Sequence, residues 1–382
     1  MKRWYLFSGL ALFLLVILPA KAQEQKPWYD RIKPNVDLRY RHEEIDKEDV
    51  YYRTRDRIRA RLGFKASINP AWDMYVQLAT DEAGKDSGGD PASSNQTLTD
   101  SESRKPIWLD LAYMDFHPEQ MKGFHLYGGK MKNPLFIPGK NQLIWDSDLT
   151  PEGGAISYAY SSEPVEPFVN LGYFWIKERE YDEDSALYAG QAGLKVKFPN
   201  SKIYLILAGS YFEYIKTKDY PGFGADPSKS YGNTLVGGAY VNDYKLTEAG
   251  LELGADVYGY PLVIYGDYVV NNGIDSDRDP GDKDNIGWLA GVNFGKAQKA
   301  MTFGLRYNYR ELQKDAVIGA FSDSDFIGGG TDGKGHCFGV DFAVYDNVVL
   351  SFTDFVNTGA ISDEAPETFS YNRMQFDAVV TF

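Results

Sequence analysis

Residues 53–68, RTRDRIRARLGFKASI, carry a basic side chain at almost every second position. A period of two places these side chains on one face of an extended strand and the largely apolar remainder on the other. Guanidinium groups in one column repel each other unless water and counter-charges surround them. A hydrated barrel lumen supplies both, while lipid contacts the apolar face. The alternatives are a basic amphipathic helix, which scatters the arginines around its axis, and a solvated face of a soluble sheet. The basic set is Arg53, Arg55, Arg57, Arg59, Arg61 and Lys65.

The rest of the chain repeats this alternation in segments of roughly ten residues. Short breaks between segments take turns with long breaks rich in Asp, Gly, Ser, Asn and Pro. This order predicts an all-β, transmembrane, up-and-down antiparallel β-barrel with short periplasmic turns and long extracellular loops. The segments predict sixteen strands, at residues 35–45, 53–68, 73–81, 106–116, 124–132, 153–162, 167–178, 186–198, 201–214, 241–257, 262–271, 285–295, 300–312, 334–345, 348–356 and 369–382.

The first 22 residues have the pattern of a secretory signal peptide. Lys2 and Arg3 precede an apolar run, and Ala20-Lys21-Ala22 offers a cleavage site. An uncleaved membrane anchor is the alternative. We therefore expect a signal peptide at 1–22 and one barrel domain at 23–382. No later segment contains the ~18 consecutive apolar residues that a transmembrane helix needs.

Composition agrees with an exported barrel and limits the partners. The chain has 28 Tyr, 22 Phe and 38 Gly, and its single cysteine, Cys337, excludes an intramolecular disulfide. The formal net charge of −14 argues against nucleic acid as a partner. Because the strands carry an arginine column, the acidic residues must concentrate in the loops. An acidic outer rim would suit divalent cations that bridge to lipopolysaccharide.

The chain ends in an alternating apolar strand, FDAVVTF. Phe376, Ala378, Val380 and Phe382 share one face, and Phe382 is the last residue. A terminal aromatic residue on such a strand resembles the signal that the outer-membrane barrel assembly machinery reads. This feature predicts a location in the outer membrane, in contact with its lipid.

Residues 133–152 form a long break that is unusually apolar, with Leu135, Phe136, Ile137, Leu143, Ile144, Trp145 and Leu149. A loop with so much apolar surface should pack against something, and inside a barrel that partner is the inner wall. We therefore expect a constriction loop in which Trp145, Asp146, Asp148 and Glu152 bring carboxylates near the arginine column. Opposed acid and base create a transverse field across a narrow opening. Alternatively, the loop folds outward over the mouth or mediates trimer contact.

Arg306 and Arg310 extend the basic lining to another alternating strand. Along the wall, basic positions outnumber acidic ones in this register, which predicts a mild anion preference. The arginines could instead be structural and pair within the wall with Asp110, Glu248, Glu252 or Asp377.

Four stretches carry a resemblance to a known family: RTRDRIRARLGF, GKMKNP, LIWDSDLTPEGGAISY and LVIYGDYVVN. They resemble the "Putative porin" family of Gram-negative outer membranes and, more distantly, general and phosphate-selective porins of sixteen strands. The resemblance runs over most of the chain after residue 22, and WDSDLTPEG is its most specific piece. It implies a passive trimeric channel. A barrel of sixteen strands leaves an aqueous channel, so we expect small hydrophilic solutes or ions to pass.

Other functions have weaker support in the sequence. An enzyme needs a nucleophile, a base and an orienting group within reach, yet the four histidines, at 42, 117, 125 and 336, lie on separate segments and no GxSxG motif occurs. We expect no enzymatic activity, no cofactor and no metal site, although the aspartates of 272–284 are spaced like Ca²⁺ donors. A barrel that acts as an adhesin or receptor through its long loops remains the alternative.

Overall fold

The computed structural model describes residues 27–82, 90–224, 226, 228–277, 284–362, 365 and 367–382. The predicted signal peptide at 1–22 lies outside the described residues. So do Asp279 and Asp282 of the segment considered for Ca²⁺.

Within the described residues, sixteen long strands form one closed antiparallel barrel. Each strand pairs with its neighbours in sequence, and the first pairs with the last, from Asp37↔Thr381 to Lys47↔Tyr371. The predicted fold class and the sixteen predicted strands are confirmed. The strands are β1 (Ile32–Lys47), β2 (Arg53–Asn69), β3 (Trp72–Thr80), β4 (Ile107–Phe116), β5 (Phe124–Lys130), β6 (Glu152–Ala159), β7 (Val165–Lys177), β8 (Ser185–Lys197), β9 (Tyr204–Ile215), β10 (Tyr244–Val257), β11 (Tyr260–Asn271), β12 (Ile286–Gly295), β13 (Phe303–Leu312), β14 (Gly333–Tyr345), β15 (Val348–Gly359) and β16 (Phe369–Thr381).

The connections alternate in length, as the sequence predicts. One end of the barrel carries short turns, down to the two residues Asp346-Asn347. The other end carries the loops L1 to L8, which span 48–52, 81–106, 131–151, 178–184, 216–243, 272–285, 313–332 and 360–368. The short elements described within the loops and ahead of β1 are the strand pieces Gln96–Thr97, Leu235–Val236 and Ala239–Tyr240 and the 3-10 turns Trp28–Arg31, Pro138–Lys140, Gly319–Phe321 and Phe326–Gly328. No helix among the described residues is long and apolar enough to cross a membrane.

The two faces of the wall differ as the period of two requires. On β2, Leu62 is exposed on the outside, whereas Arg57 is buried within the barrel. Leu251, Leu305 and Leu350 are similarly exposed on other strands. This outer surface is the apolar band that acyl chains cover in a membrane barrel.

The core lies inside the barrel, and loops provide much of it. Leu143 and Trp145 of L3, Phe223 of L5 and Phe321 of L7 belong to one buried apolar cluster with the inner wall. The wall contributes Phe174, Leu187, Phe212, Tyr214, Leu246 and Leu289, among others. The interior is therefore divided: loops fill the side next to β7–β13, while the side next to β1, β2 and β16 is charged.

Glycines allow the loops to lie this close to the wall. A Cβ on Gly250 of β10 would lie 2.6 Å from the Pro138 ring, and one on Gly139 would lie 2.3 Å from the Tyr265 ring. Gly139 also has a φ of +57°, in the left-handed region. The turn at Pro138–Lys140 therefore needs these two small residues to reach the inner wall.

Candidate functional site

The outer half of the arginine column surrounds one buried carboxylate, Glu43. The β1–β2 register places Glu43 opposite Arg55, and the Arg55 Nε atom donates to Glu43 at 2.5 Å. Arg373 of β16 donates at 2.7 Å, and Arg57 lies 3.7 Å away. We call Glu43, Arg41, Arg55, Arg57, Arg373 and Asp325 the Glu43 cluster. Glu43 is fully buried (0% exposed). Its carboxylate therefore needs the surrounding guanidinium groups, and it compensates part of their charge in return.

Asp325 brings L7 into the Glu43 cluster. It accepts from Arg41 at 3.2 Å and from Gln375 at 2.9 Å, and it lies 2.7 Å from Arg373. Burial alone would raise the pKa of this carboxyl, but Arg373 and Arg41 hold the pKa of Asp325 well below its usual range. L7 is therefore fixed to the charged wall by an ionised group.

Further along the wall, three arginines lie around L3, two of them on β2 and Arg39 on β1. Arg59 makes a two-pronged pair with Asp37 at 2.8 and 2.9 Å. Arg61 donates to Asp148 of L3 at 2.8 Å and lies 3.8 Å from Asp110. Arg39 bonds to Asn95 and lies 3.9 Å from Asp377. We call Arg39, Arg59, Arg61, Asp37 and Asp148 the central charge cluster.

L3 follows the inner wall from β8 to β12. Phe136 N donates to Gln191 of β8 at 2.7 Å, and Gly139 N donates to Glu252 of β10 at 2.7 Å. Asn141 donates to Asp267 of β11 at 2.8 Å. These three bonds join the backbone and a side chain of L3 to polar groups on three strands of the wall. L3 is therefore attached to the side of the barrel opposite the arginine column.

The four residues expected to form a constriction take different places. Asp148 meets the arginine column, but Trp145 is an anchor: its indole N–H donates to Tyr214 at 2.9 Å and its ring packs edge-on to Phe174. Glu152 begins β6, is exposed, and pairs with Lys130 at 3.0 Å. Glu152 therefore does not face the arginine column as expected, because Lys130 on the neighbouring strand β5 supplies its counter-charge.

Asp146 also differs from the expectation. Its carboxylate accepts backbone N–H groups from Ser324 at 2.9 Å and Asp148 at 2.8 Å, and its own N–H donates to Phe321 O at 2.7 Å. Asp146 therefore joins L3 to L7 and does not face the arginine column. Burial, followed by the charges of Asp148 and Asp323, raises the pKa of Asp146 well above its usual value.

The raised pKa of Asp146 predicts a specific pH dependence. A folded pKa above the unfolded one means a stability contribution that is complete at low pH and lost as pH rises through the folded pKa. We expect Asp146→Asn to abolish this loss. The unfolding free energy of the variant minus that of wild type should therefore increase by about 1 kcal/mol or more as pH rises from about 4 to about 8. Urea unfolding of both proteins measures the difference. Parallel pH profiles would contradict the assignment.

The remaining predicted arginines are also distributed. Arg53 is exposed at the outer end of β2. Arg306 pairs with Asp341 at 3.0 Å and is 45% exposed. Arg310 differs from the expected pore lining, since it is only 3% exposed. L7 covers it, with Asp323 at 2.8 Å and the Phe326 ring 4.6 Å away.

Of the four acidic residues that are candidates to pair with the arginines within the wall, two do so. Asp377 binds Arg41 at 2.6 Å and Asp110 lies near Arg61. Glu252 instead binds L3 and Tyr204, and Glu248 is buried beside Asp267, next to L3.

Sequence reasoning missed the part played by L2. Residues 82–105 carry no readable pattern, yet Ser93, Ser94 and Asn95 are buried against the arginines. Arg57 donates to Asn95 O at 3.2 Å, Arg61 donates to Ser94 Oγ at 2.7 Å, and Ser94 N donates to Asp148 at 3.0 Å. Only the length of L2 indicated a segment able to reach so far.

Two predicted features lie at the ends of the barrel. Phe382 extends the β1–β16 seam through two backbone bonds with Val36, each 2.9 Å, and its side chain is exposed. In the acidic segment of L6, Asp275 pairs with Lys218 of L5.

Comparison with known proteins agrees with this architecture. The model of the family described as "Putative porin" matches residues 45–230 and 240–382. The fold is similar to that of OprB of Pseudomonas putida, at 12% identity and a TM-score of 0.58, with 93% of this chain and 95% of that chain covered. A search of curated proteins found no significant match.

Two further solved structures share the fold. OmpF of Salmonella typhi, in complex with daunomycin, has 10% identity and a TM-score of 0.54, covering 94% of this chain and all of that chain (100%). The outer membrane channel DcaP of Acinetobacter baumannii has 10% identity and a TM-score of 0.52, covering 92% and 97%. At these identities the likeness concerns the fold alone. The family match and the closed barrel of sixteen strands together establish that the chain belongs to the "Putative porin" family and forms an outer-membrane channel.

Proposed function

We propose that the channel conducts small hydrophilic solutes and ions by passive diffusion, with a mild preference for anions. The observation that carries the proposal is the central charge cluster, in which Arg39, Arg59 and Arg61 of the wall face Asp148 of L3. A barrel of sixteen strands is wide enough for an aqueous lumen. Since L3 is attached to the opposite wall and reaches the arginine column at Asp148, we infer that the remaining passage runs beside the Arg61–Asp148 pair.

The paired charges of the wall and L3 favour a transverse field beside this passage. Arg59 and Arg61 belong to the wall, while Asp148 is carried on L3, and Arg61 lies 2.8 Å from Asp148. Burial alone would raise the pKa of Asp148, but Arg61 and Arg59 hold the pKa of Asp148 well below its usual range. Asp148 therefore stays ionised over the physiological range, and dipolar solutes that pass the pair would orient in its field.

Exposure of the paired groups supports the anion preference. Side-chain exposures are 19% for Arg61 and 12% for Asp148, 37% for Lys65 and 6% for Asp73, and 45% for Arg306 and 22% for Asp341. In these three pairs the cation meets water more than the anion does. The opposite order holds in other pairs, such as Arg59–Asp37 at 12% and 18% and Arg373–Asp325 at 2% and 20%. The preference is therefore mild.

A cavity of about 230 Å³ adjoins the central charge cluster. Ser93, Ser94, Asp110 and Asp148 line it together with Trp108. Hydroxyl and carboxylate groups beside an aromatic ring can bind hydrated polar solutes, which supports a route for small hydrophilic molecules.

Planar bilayer recording tests the selectivity. Under a KCl gradient we expect a reversal potential that corresponds to a chloride-to-potassium permeability ratio of about 2, because Arg61, Lys65 and Arg306 are more exposed than their acidic partners. A reversal potential that favours potassium would contradict the anion preference. A barrel without conductance that still binds surface partners would favour the adhesin or receptor alternative.

Assembly and contacts in the membrane follow from the outer surface. We also propose that the barrel assembly machinery recognises Phe382 and that the acidic loops contact lipopolysaccharide. The proposed oligomeric state is a homotrimer. The strands β3 to β6 are the shortest stretch of wall, with 7 to 10 residues each. This low stretch favours contact between subunits, because it exposes less apolar surface to lipid.

A further inference from the structure

Four side chains with metal-binding groups meet inside the barrel at the end with short turns. Asp73 of β3 and Asp115 of β4 occupy directly opposite positions. His117 follows β4, and His125 belongs to β5. The sequence shows no metal-ligand spacing here, because the histidines are brought together only by the turn between the two strands. Their ring centroids lie 5.6 Å apart.

The two aspartates form an unfavourable pair by themselves. Like charges directly opposite each other on neighbouring strands destabilise a sheet, and both carboxylates are 5% exposed. Lys65 lies 2.7 Å from Asp73. Further contacts are His117 Nε2 to Asp73 at 2.9 Å, His125 Nδ1 to Asp115 at 3.0 Å and a hydrogen bond of Ser67 to Asp73. Among these contacts Lys65 alone carries a permanent positive charge, so a cation between the two carboxylates would add to the compensation of their charge.

The donor atoms are close enough for an ion to gather them. One ligand atom each from Asp73, Asp115 and His117 lie within 4.8 Å of one another. Zinc binds imidazole nitrogen and carboxylate oxygen at about 2.0–2.2 Å, which places ligand atoms roughly 3.5 Å apart. A bound ion therefore requires the side chains to rotate, so that the spacing closes from at most 4.8 Å to about 3.5 Å. We propose that Asp73, Asp115, His117 and His125 form a binding site for a divalent transition-metal ion of the zinc class.

Lys65 makes the proposal sharper, because it competes with a metal ion for the same oxygen of Asp73. Both Lys65 Nζ and His117 Nε2 lie against Asp73 Oδ2. A metal ion must displace the ammonium group from this atom. Removing the lysine charge should therefore strengthen metal binding, whereas a purely structural His–Asp arrangement gives no reason for such a change.

Isothermal titration of the untagged, chelator-treated protein in detergent with Zn²⁺ tests the site. We expect one ion per chain, and a loss of affinity of about tenfold or more in His117→Asn and in His125→Asn, since each removes a donor. His336→Asn is the matched control, because His336 bonds to Tyr307 on another part of the wall, and its affinity should equal that of wild type. Titration of Co²⁺ with visible absorption should show a spectrum of low coordination number at the same stoichiometry.

Lys65→Gln keeps all four donors and remains informative even if a histidine variant does not fold. We expect it to bind Zn²⁺ at least about threefold more tightly than wild type, because one competing charge is gone. Any of three results overturns the proposal: wild type binds less than one Zn²⁺ per chain, His117→Asn binds Zn²⁺ with the affinity of wild type, or Lys65→Gln binds Zn²⁺ with unchanged or weaker affinity. Metal binding is measured without current, so this result does not depend on the proposed conduction.

Discussion

Replacing Arg59 and Arg61 together by alanine is expected to change the channel from anion-preferring to cation-preferring and to raise its conductance. Arg59 neutralises Asp37 through two bonds, and Arg61 neutralises Asp148. The double variant leaves both carboxylates beside the passage without these partners. Charge at a narrow opening dominates selectivity, so we expect the chloride-to-potassium permeability ratio to fall about threefold or more. The loss of two long side chains also widens the passage.

Asp148→Asn is the matched control for this experiment. It removes a negative charge from the same cluster while changing the side-chain volume little, so the permeability ratio should move toward chloride. Arg55 and Arg57 are less suitable targets, because they surround Glu43 and their loss would disturb that buried group. A double variant with the reversal potential of wild type would mean that Arg59 and Arg61 are structural only.

Glu43→Gln is expected to cause the largest loss of stability. Glutamine keeps the shape of the side chain but removes the negative charge that Arg55, Arg373 and Arg57 share. Breaking a buried ion pair by removing one partner lowers the free energy of unfolding by about 3–5 kcal/mol. The change also leaves Arg41 and Arg373 with Asp325 alone in the Glu43 cluster. Urea unfolding in detergent or lipid, followed by tryptophan fluorescence, measures the loss.

Glu44→Gln provides the comparison for the stability measurement. Glu44 is the next residue on β1, points to the opposite face and bonds to the exposed Tyr52 hydroxyl at 2.8 Å. A substitution at such a surface site usually changes stability by about 0.5 kcal/mol or less. Equal unfolding free energies for the two variants would show that the Glu43 cluster does not stabilise the barrel.

The fold could be predicted because the wall obeys local rules. A strand that separates water from lipid must alternate polar and apolar side chains, and the connections between such strands must alternate between short turns and long loops. For this reason β2 and the other fifteen strands could be recognised in the sequence. The strand predicted at 241–257 is one of the less regular segments. It begins at Tyr244, three residues later than predicted. The boundaries moved by only a few residues elsewhere.

The site could be predicted only in part, because loop contacts depend on the three-dimensional arrangement. Asp146 and Asp148 are two residues apart, yet one joins L7 and the other meets Arg61. No local pattern separates them. Glu43 shares the inner face with Arg41, but its position among four arginines depends on the register of β1 with both β2 and β16. The inward course of Ser93 to Asn95 likewise follows from hydrogen bonds to arginines that are distant in sequence.

The most direct test is the response of single channels to a charged thiol reagent. Arg61→Cys and Leu62→Cys, each with Cys337→Ser, place one thiol inside and one outside the barrel on neighbouring residues of β2. A water-soluble sulfonate-bearing methanethiosulfonate should lower the conductance of Arg61→Cys channels stepwise by about half, because it adds bulk and negative charge where ions pass. Leu62→Cys channels should not respond, since position 62 faces acyl chains. An unchanged current in Arg61→Cys channels shown to be modified, or an equal response at both positions, would contradict a conducting passage beside the arginine column.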